Sequence, residues 1–239
     1  MSYLFEEVET AKKYGAYKEL PQYIKDNLNP AFEIRPYQES AFCNFITYAE
    51  NPNLLNGRQI HTLFHMATGS GKTLIMAGLM LYLYKKGYRN FLFFVNLSQI
   101  VKKTEDNFLN QGSSKYLFAP KIVIDGKEVH INKVTNFQDC NPNAINILFD
   151  TTAGLHADLF TQKENAPTLD DFLQDKTVLI ADEAHHLNAD TKDKKENEIK
   201  HSWENTISKI RKANKENIML EFTATCDLNN AEIKAKYTD

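Results

Sequence analysis

The sequence predicts an α/β fold, a doubly wound and mostly parallel sheet with a helical extension at the N-terminus. Three observations carry that expectation. Five apolar runs of strand length, Ile60 to Met66, Phe91 to Val95, Ile145 to Phe149, Thr177 to Ala181 and Asn217 to Phe222, are separated by longer segments of helical character. Phe91 to Val95 is apolar at every position, as a strand covered on both faces must be. A glycine-rich stretch, Ala67-Thr68-Gly69-Ser70-Gly71-Lys72-Thr73, links the first run to the apolar segment Leu74 to Tyr84, which is the order strand, tight loop, helix.

Taken in order, residues 1 to about 30 read as partly amphipathic helix punctuated by Pro21 and Pro30. Their aromatic and aliphatic side chains, Tyr3, Leu4, Phe5, Tyr14, Tyr17, Leu20, Tyr23 and Ile24, are expected to pack on the main domain. Glu39 to Glu50 reads as a helix with Ala41, Phe42, Phe45, Ile46 and Ala49 inward, and Asn51 to Gln59 as a turn-rich link. The helix after the glycine loop runs to about Lys86, where Gly87 supplies its stop. After Phe91 to Val95, Asn96-Leu97-Ser98 opens a helix to about Leu109, with Asn96 or Ser98 able to cap it. Lys121 to Val134 reads as an inserted β-ribbon turning at Asp125-Gly126. Ala189 to Lys200, dense in mixed charge, reads as a solvated loop, and Ser202 to Ala213 as a helix with Trp203, Ile207 and Ile210 on one face.

Composition narrows the class. At 239 residues the chain suits one large α/β domain with an appendage. The expected division is 1–50 for the N-terminal extension and 51–239 for the main domain. A net charge of −3 argues against a protein coated for nonspecific nucleic-acid binding, yet a local groove remains compatible with it. No apolar run is long enough to cross a bilayer, and the first twelve residues lack a secretory layout. Cys43, Cys140 and Cys226 are far apart and odd in number, which suits packing roles in a reducing cytoplasm.

Chemistry concentrates in two places. A glycine loop at a helix start turns successive backbone N–H groups toward one point, Lys72 adds a mobile cation and Thr73 a hydroxyl for magnesium. That is a cradle for the β- and γ-phosphates of a nucleotide, although the full pattern wants glycine where Met66 stands. Roughly 110 residues downstream, Thr177 to Ala181 ends in Asp182-Glu183-Ala184-His185. Carboxylates at the end of a parallel strand lie beside the phosphate crevice. Asp182 can hold magnesium there and Glu183 can deprotonate an attacking water. Each motif has a plainer alternative, a solvated turn or an ordinary connection, but these do not explain why both occur together in the right setting. His186 beside His185 has no further Cys or His at ligand spacing and is not read as a metal ligand.

With those residues in hand, the chain resembles a superfamily 2 helicase or translocase of the DEAD/DEAH-box group, of the type III restriction-enzyme R-subunit type. The resemblance rests on A-T-G-S-G-K-T at 67–73, D-E-A-H at 182–185, T-A-T at 223–225 and Arg35-Pro36-Tyr37-Gln38 upstream, and it spans most of the chain. It implies a RecA-like P-loop domain that binds ATP with magnesium and drives movement on DNA. It also implies roles. Arg35, Tyr37 and Gln38 would face the adenine, Thr68 to Thr73 the phosphates, and Thr73 and Asp182 the metal. Lys72, Asp182, Glu183 and His185 would serve catalysis, and His185 with Thr223 and Thr225 would couple nucleotide state to nucleic acid. Asn96, Ser98, Thr151 and Thr152 would touch the DNA backbone, although Ala153 stands where this group often has glutamine.

The chain ends just past T-A-T, so the second RecA-like domain with its arginine fingers is expected on a further segment. The fragment is then expected to hydrolyse ATP slowly, with DNA, that second domain and a modification subunit as partners. A non-hydrolytic regulatory module and a metabolic kinase are the competing functions. Glu183 speaks against the first, and D-E-A-H with T-A-T against the second.

Overall fold

The computed structural model describes residues 3–138, 140–160, 165–184 and 194–226, with backbone alone for 194–201. Three helices open the chain, α1 (Leu4–Lys13), α2 (Gln22–Asn27) and α3 (Pro36–Ala49), followed by the short α4 (Pro52–Leu55). Alternation then begins: β1 (His61–His65), α5 (Lys72–Lys85), β2 (Asn90–Val95) and α6 (Ser98–Leu109). A hairpin, β3 (Ile122–Ile124) with β4 (Lys127–Val129), precedes β5 (Ile131–Val134) and β6 (Ile145–Thr151). The chain continues through α7 (Thr152–Phe160), α8 (Asp171–Gln174), β7 (Thr177–Ala181), α9 (Lys194–Ala213) and β8 (Ile218–Thr223).

Six strands form one sheet in the order β1-β8-β7-β2-β6-β5, and every pairing is parallel. Parallel neighbours need crossover connections, and the helices provide them on both faces. Alternation along each strand decides the faces. Phe91, Phe93 and Val95 of β2 join Val178, Ile180, Leu220 and Phe222 in a core shared with α2, α3 and α5. Leu92 and Phe94 join Leu179, Met219, Ile207 and Ile210 in a second core on the face of α7, α8 and α9. The doubly wound sheet expected from the sequence is therefore present. Because all six strands run the same way, their carboxyl ends lie along one rim, where such folds bind ligands.

The N-terminal helices belong to the first core: Ile24, Phe42, Phe45 and Ile46 are buried in it, with Tyr17 and Tyr23 packed against it. Phe5 and Tyr14 depart from the expected packing and are exposed. Three other expectations need correction. Asp125 and Gly126, both at positive φ, do turn a hairpin, but it stops at Val129. Ile131 to Val134 leaves the ribbon and pairs with β6 as the outermost strand of the main sheet, because its apolar residues find cover there. From Lys194 to Lys200 the backbone is helical, extending α9 through the charged stretch read as loop; residues 189–193 lie outside the described residues. Neither Asn96 nor Ser98 caps α6, whose N-cap position falls on Leu97 with no side-chain bond.

Candidate functional site

At the end of β1 the Met66 N–H donates to the Thr223 carbonyl at 2.9 Å, which fixes where the glycine loop starts. Ser70 N–H closes the loop on the Ala67 carbonyl, and Gly69 and Gly71 sit at φ 77° and 84°. Gly71 is the N-cap of α5, and its carbonyl accepts from Leu74 and Ile75. A side chain there would collide with the Gln38 amide, so glycine is required both for the backbone and for space. Thr68 and Gly69 are exposed, and a Cβ on Gly69 would meet nothing within 4 Å, so the loop's mouth is open.

The Arg35-Pro36-Tyr37-Gln38 segment starts α3 and closes on that loop. Pro36 fills the first helical turn, and Gln38 Oε1 accepts from the Arg35 N–H at 2.9 Å. Gln38 Nε2 and the Tyr37 hydroxyl both donate to the Ser70 carbonyl, at 2.7 and 3.0 Å. Arg35 Nη1 in turn lies 3.3 Å from the Tyr37 hydroxyl. The four residues are thus brought to the phosphate loop, and Gln38 keeps one amide hydrogen and one oxygen lone pair beyond these bonds.

Two groups in the loop suit an anion. Lys72 is only 8% exposed, and its ammonium makes one long hydrogen bond, 3.5 Å, to the Met66 carbonyl. The Ser70 hydroxyl is buried with no partner among the described residues. A buried cation and a buried hydroxyl left so poorly paired are costly unless a ligand completes them.

The acids come from the end of β7. Asp182 N–H donates to the Phe94 carbonyl, and Asp182 Oδ1 accepts from the Glu183 N–H at 3.0 Å. Glu183 adopts a left-handed conformation, φ 53°, unusual for a residue with a long side chain. Ala184 N–H then donates to the Phe222 carbonyl at 2.9 Å. Burial raises the Asp182 carboxyl to about 6 and the nearby Glu183 charge adds to it, while the Glu183 N–H and the Lys72 ammonium pull the other way. Lys72 therefore acts electrostatically on Asp182, although β8 stands between their strands. His185 and His186 lie outside the described residues.

β8 joins the two halves. Its last two carbonyls serve both neighbours, Phe222 bonding the acid turn and Thr223 the entry to the phosphate loop. Thr223 is buried, its hydroxyl donating to the Thr225 carbonyl at 2.9 Å and accepting from the Thr225 N–H at 3.2 Å. The carbonyl bridge was invisible in the sequence, where only side chains signal. So was Gln59, whose amide reaches the carbonyls of Arg211, Asn214 and Asn217 and ties the end of α9 to the start of β1.

Farther along the rim, beyond β7, the remaining residues gather at the ends of β2 and β6. The buried Thr152 hydroxyl donates to Asn96 Oδ1 at 3.0 Å, joining the starts of α7 and α6. The Thr151 hydroxyl accepts from the Gly154 N–H, as a helix cap does. Ser98 and Leu97 are exposed beside them. Among the described residues no group of three or more His, Cys, Asp or Glu gathers to hold a metal. Magnesium bound with a nucleotide needs only one or two protein ligands, a number too small to form such a group. Among the same residues, no helix is long and apolar enough to cross a membrane.

Residues 31–228 match the family model described as type III restriction enzyme, res subunit. The chain belongs to that family. With this Res-subunit membership the expected RecA-like, helicase-type α/β class holds, and with it an ATPase-type nucleotide-binding fold. The chain is 39% identical to the "Probable type III restriction-modification enzyme HindVIP Res subunit" of Haemophilus influenzae, over 92% of this chain and 47% of that protein. The Res-family chain thus spans about half the length of that curated relative. Solved structures with similarity include the UvsW helicase from bacteriophage T4, at 14% identity over 96% of this chain and 72% of that one, TM-score 0.49. Another is a nuclease-deletion mutant of the type ISP restriction-modification enzyme LlaGI in complex with a DNA substrate mimic. It is 16% identical over 81% of this chain and 18% of that one, TM-score 0.39.

Proposed function

We propose that this Res-family chain is the ATP-binding half of a motor that moves on DNA, within a restriction-type R subunit. The observation that carries the proposal is the convergence of three groups at the sheet rim: the under-paired Lys72 ammonium, the unpartnered Ser70 hydroxyl and the desolvated Asp182 carboxyl. A triphosphate with its magnesium ion completes all three. Lys72 and the N–H groups of 68–73 would hold the phosphates, Thr73 and Asp182 the metal, and Arg35, Tyr37 and Gln38 the adenine side. Bound magnesium supplies charge neutralisation across the phosphate oxygens. Glu183 would orient water and take its proton, while Lys72 counters the charge that develops. His185, Thr223 and Thr225 would relay nucleotide state toward the DNA side. There Asn96, Ser98, Thr151 and Thr152 would meet backbone phosphates.

The domain division at residue 50, a second RecA-like domain, a modification subunit as partner and a cytoplasmic setting all belong to the same proposal. An arginine supplied by that second domain is worth about 1000-fold or more in rate, so this chain by itself would turn over slowly. Titration calorimetry with ADP and a non-hydrolysable ATP analogue, with magnesium present, tests the site. Binding is expected in the native chain and an affinity loss of about 100-fold or more in Lys72→Ala, whose lost charge-assisted bonds are the strong ones. No heat with the native chain, or equal heat in the variant, overturns the proposal.

A further inference from the structure

The ends of β2 and β6 lie side by side, with Val95 opposite Thr151 in the parallel register. Just beyond them Asn96 is half-buried, and its Oδ1 accepts from the Thr152 hydroxyl at 3.0 Å. Thr152 is only 2% exposed, so its hydroxyl must give its hydrogen to an acceptor inside the fold. Asn96 Oδ1 is the acceptor it has. Turning the amide over would set the Asn96 nitrogen against that hydroxyl and leave the Thr152 hydrogen without an acceptor. The Asn96 amide is therefore held by its oxygen, and its nitrogen, which carries two hydrogens, has no partner among the described residues.

Thr151, on the neighbouring strand, shows the same division. Its hydroxyl oxygen accepts from the Gly154 N–H at 3.0 Å, which leaves the hydroxyl hydrogen to be given elsewhere. In both residues the accepting side is used within the fold and the donating side is left over. A phosphodiester only accepts hydrogen bonds, so it matches what these two side chains still offer. The adjacent Asp150, whose Oδ1 accepts from the Thr151 N–H at 2.7 Å, brings no donor. The aim of the neutral donors then decides the contact.

We infer that Thr152 is a positioning residue for DNA: it does not touch the strand, and by holding the Asn96 oxygen it turns the Asn96 N–H groups toward a backbone phosphate. The inference rests on the DNA reading above and narrows it, since Thr152 then reaches the strand only through Asn96. It also accounts for the missing cap of α6, because the Asn96 oxygen that could have capped that helix is taken by Thr152.

The probe is a fluorescently labelled DNA duplex, titrated with the full-length protein and read by anisotropy at several salt concentrations. Thr152→Val keeps the side chain's shape and removes the hydroxyl. It should weaken binding about tenfold, the worth of one hydrogen bond to a charged acceptor. Asn96→Ala should weaken binding by the same factor, and the double variant no further, because both changes remove one contact. Thr152→Ser keeps the hydroxyl and should restore native affinity. Salt dependence should stay as in the native protein, since the lost donor carries no charge. Circular dichroism checks that each variant folds, and Thr152→Ala makes the same test by a second route. Native affinity in Thr152→Val, losses that add in the double variant, an altered salt dependence, or no rescue by Thr152→Ser overturns the inference and leaves the DNA reading standing. A native protein that binds no duplex overturns both.

Discussion

Asp182 holds its proton to higher pH than a carboxyl in water because burial disfavours its charged form. The folded value of about 6 stands above the ordinary 3.8, so the native state binds more protons than the unfolded chain between about pH 4 and 6. Stability from this group is therefore full below about pH 4 and is lost as pH rises through 6. Asp182→Asn keeps the acceptor for the Glu183 N–H and removes the charge. It should stabilise the ligand-free chain by on the order of 2 kcal/mol at pH 7.5, with the gain vanishing near pH 4. Urea melts of both proteins across that range check it, and a gain that does not shrink on acidification would show that desolvation is not the cause. The position of Asp182 at the end of a buried strand was legible, since the apolar run Thr177 to Ala181 precedes it. Its strained neighbour was not: nothing in Asp-Glu-Ala-His announces the left-handed backbone at Glu183.

Packing between α3 and α5 sets how the Arg35-Pro36-Tyr37-Gln38 segment meets the glycine loop. Gly78 lies inside α5, and a Cβ there would come within 2.5 Å of the Phe42 ring and 3.2 Å of Ile24. Two effects compete in Gly78→Ala. Helix propensity would gain about 1 kcal/mol, while overpacking costs about 1–3. Phe42 and Ile24 are fully buried and cannot yield, so the clash wins. A net loss of about 1–2 kcal/mol in denaturant titration is expected, and a gain would mean that the helices separate freely. The elements with strong local signatures were readable in advance: β1, β2, β6, β7, β8 and the loop-helix unit of α5. β5 was misplaced because its partner is chosen by a strand eleven residues later, not by the turn beside it. The first turns of α9 were missed because their charges carry no apolar period.

For the molecule as a whole, the sheet order places the glycine loop after β1, Thr223 of β8, Asp182 and Glu183 after β7, and Asn96, Thr151 and Thr152 at the ends of β2 and β6 in sequence along one rim. Under the proposed function, nucleotide binding and turnover are separable. In the full-length protein, Glu183→Gln should leave nucleotide affinity within about threefold and lower DNA-stimulated ATP turnover by 100-fold or more, the usual worth of a general base. Steady-state phosphate release beside equilibrium binding checks both halves, and unchanged turnover would remove Glu183 from the role of base. The phosphate loop and the acids lie on strands that never touch; only the last strand of the described chain, inserted between them, gives each a carbonyl to hold. A shortened version stopping before residue 218 would thus keep Lys72, Thr73, Asp182 and Glu183, and lose the two carbonyls that tie their turns to one strand.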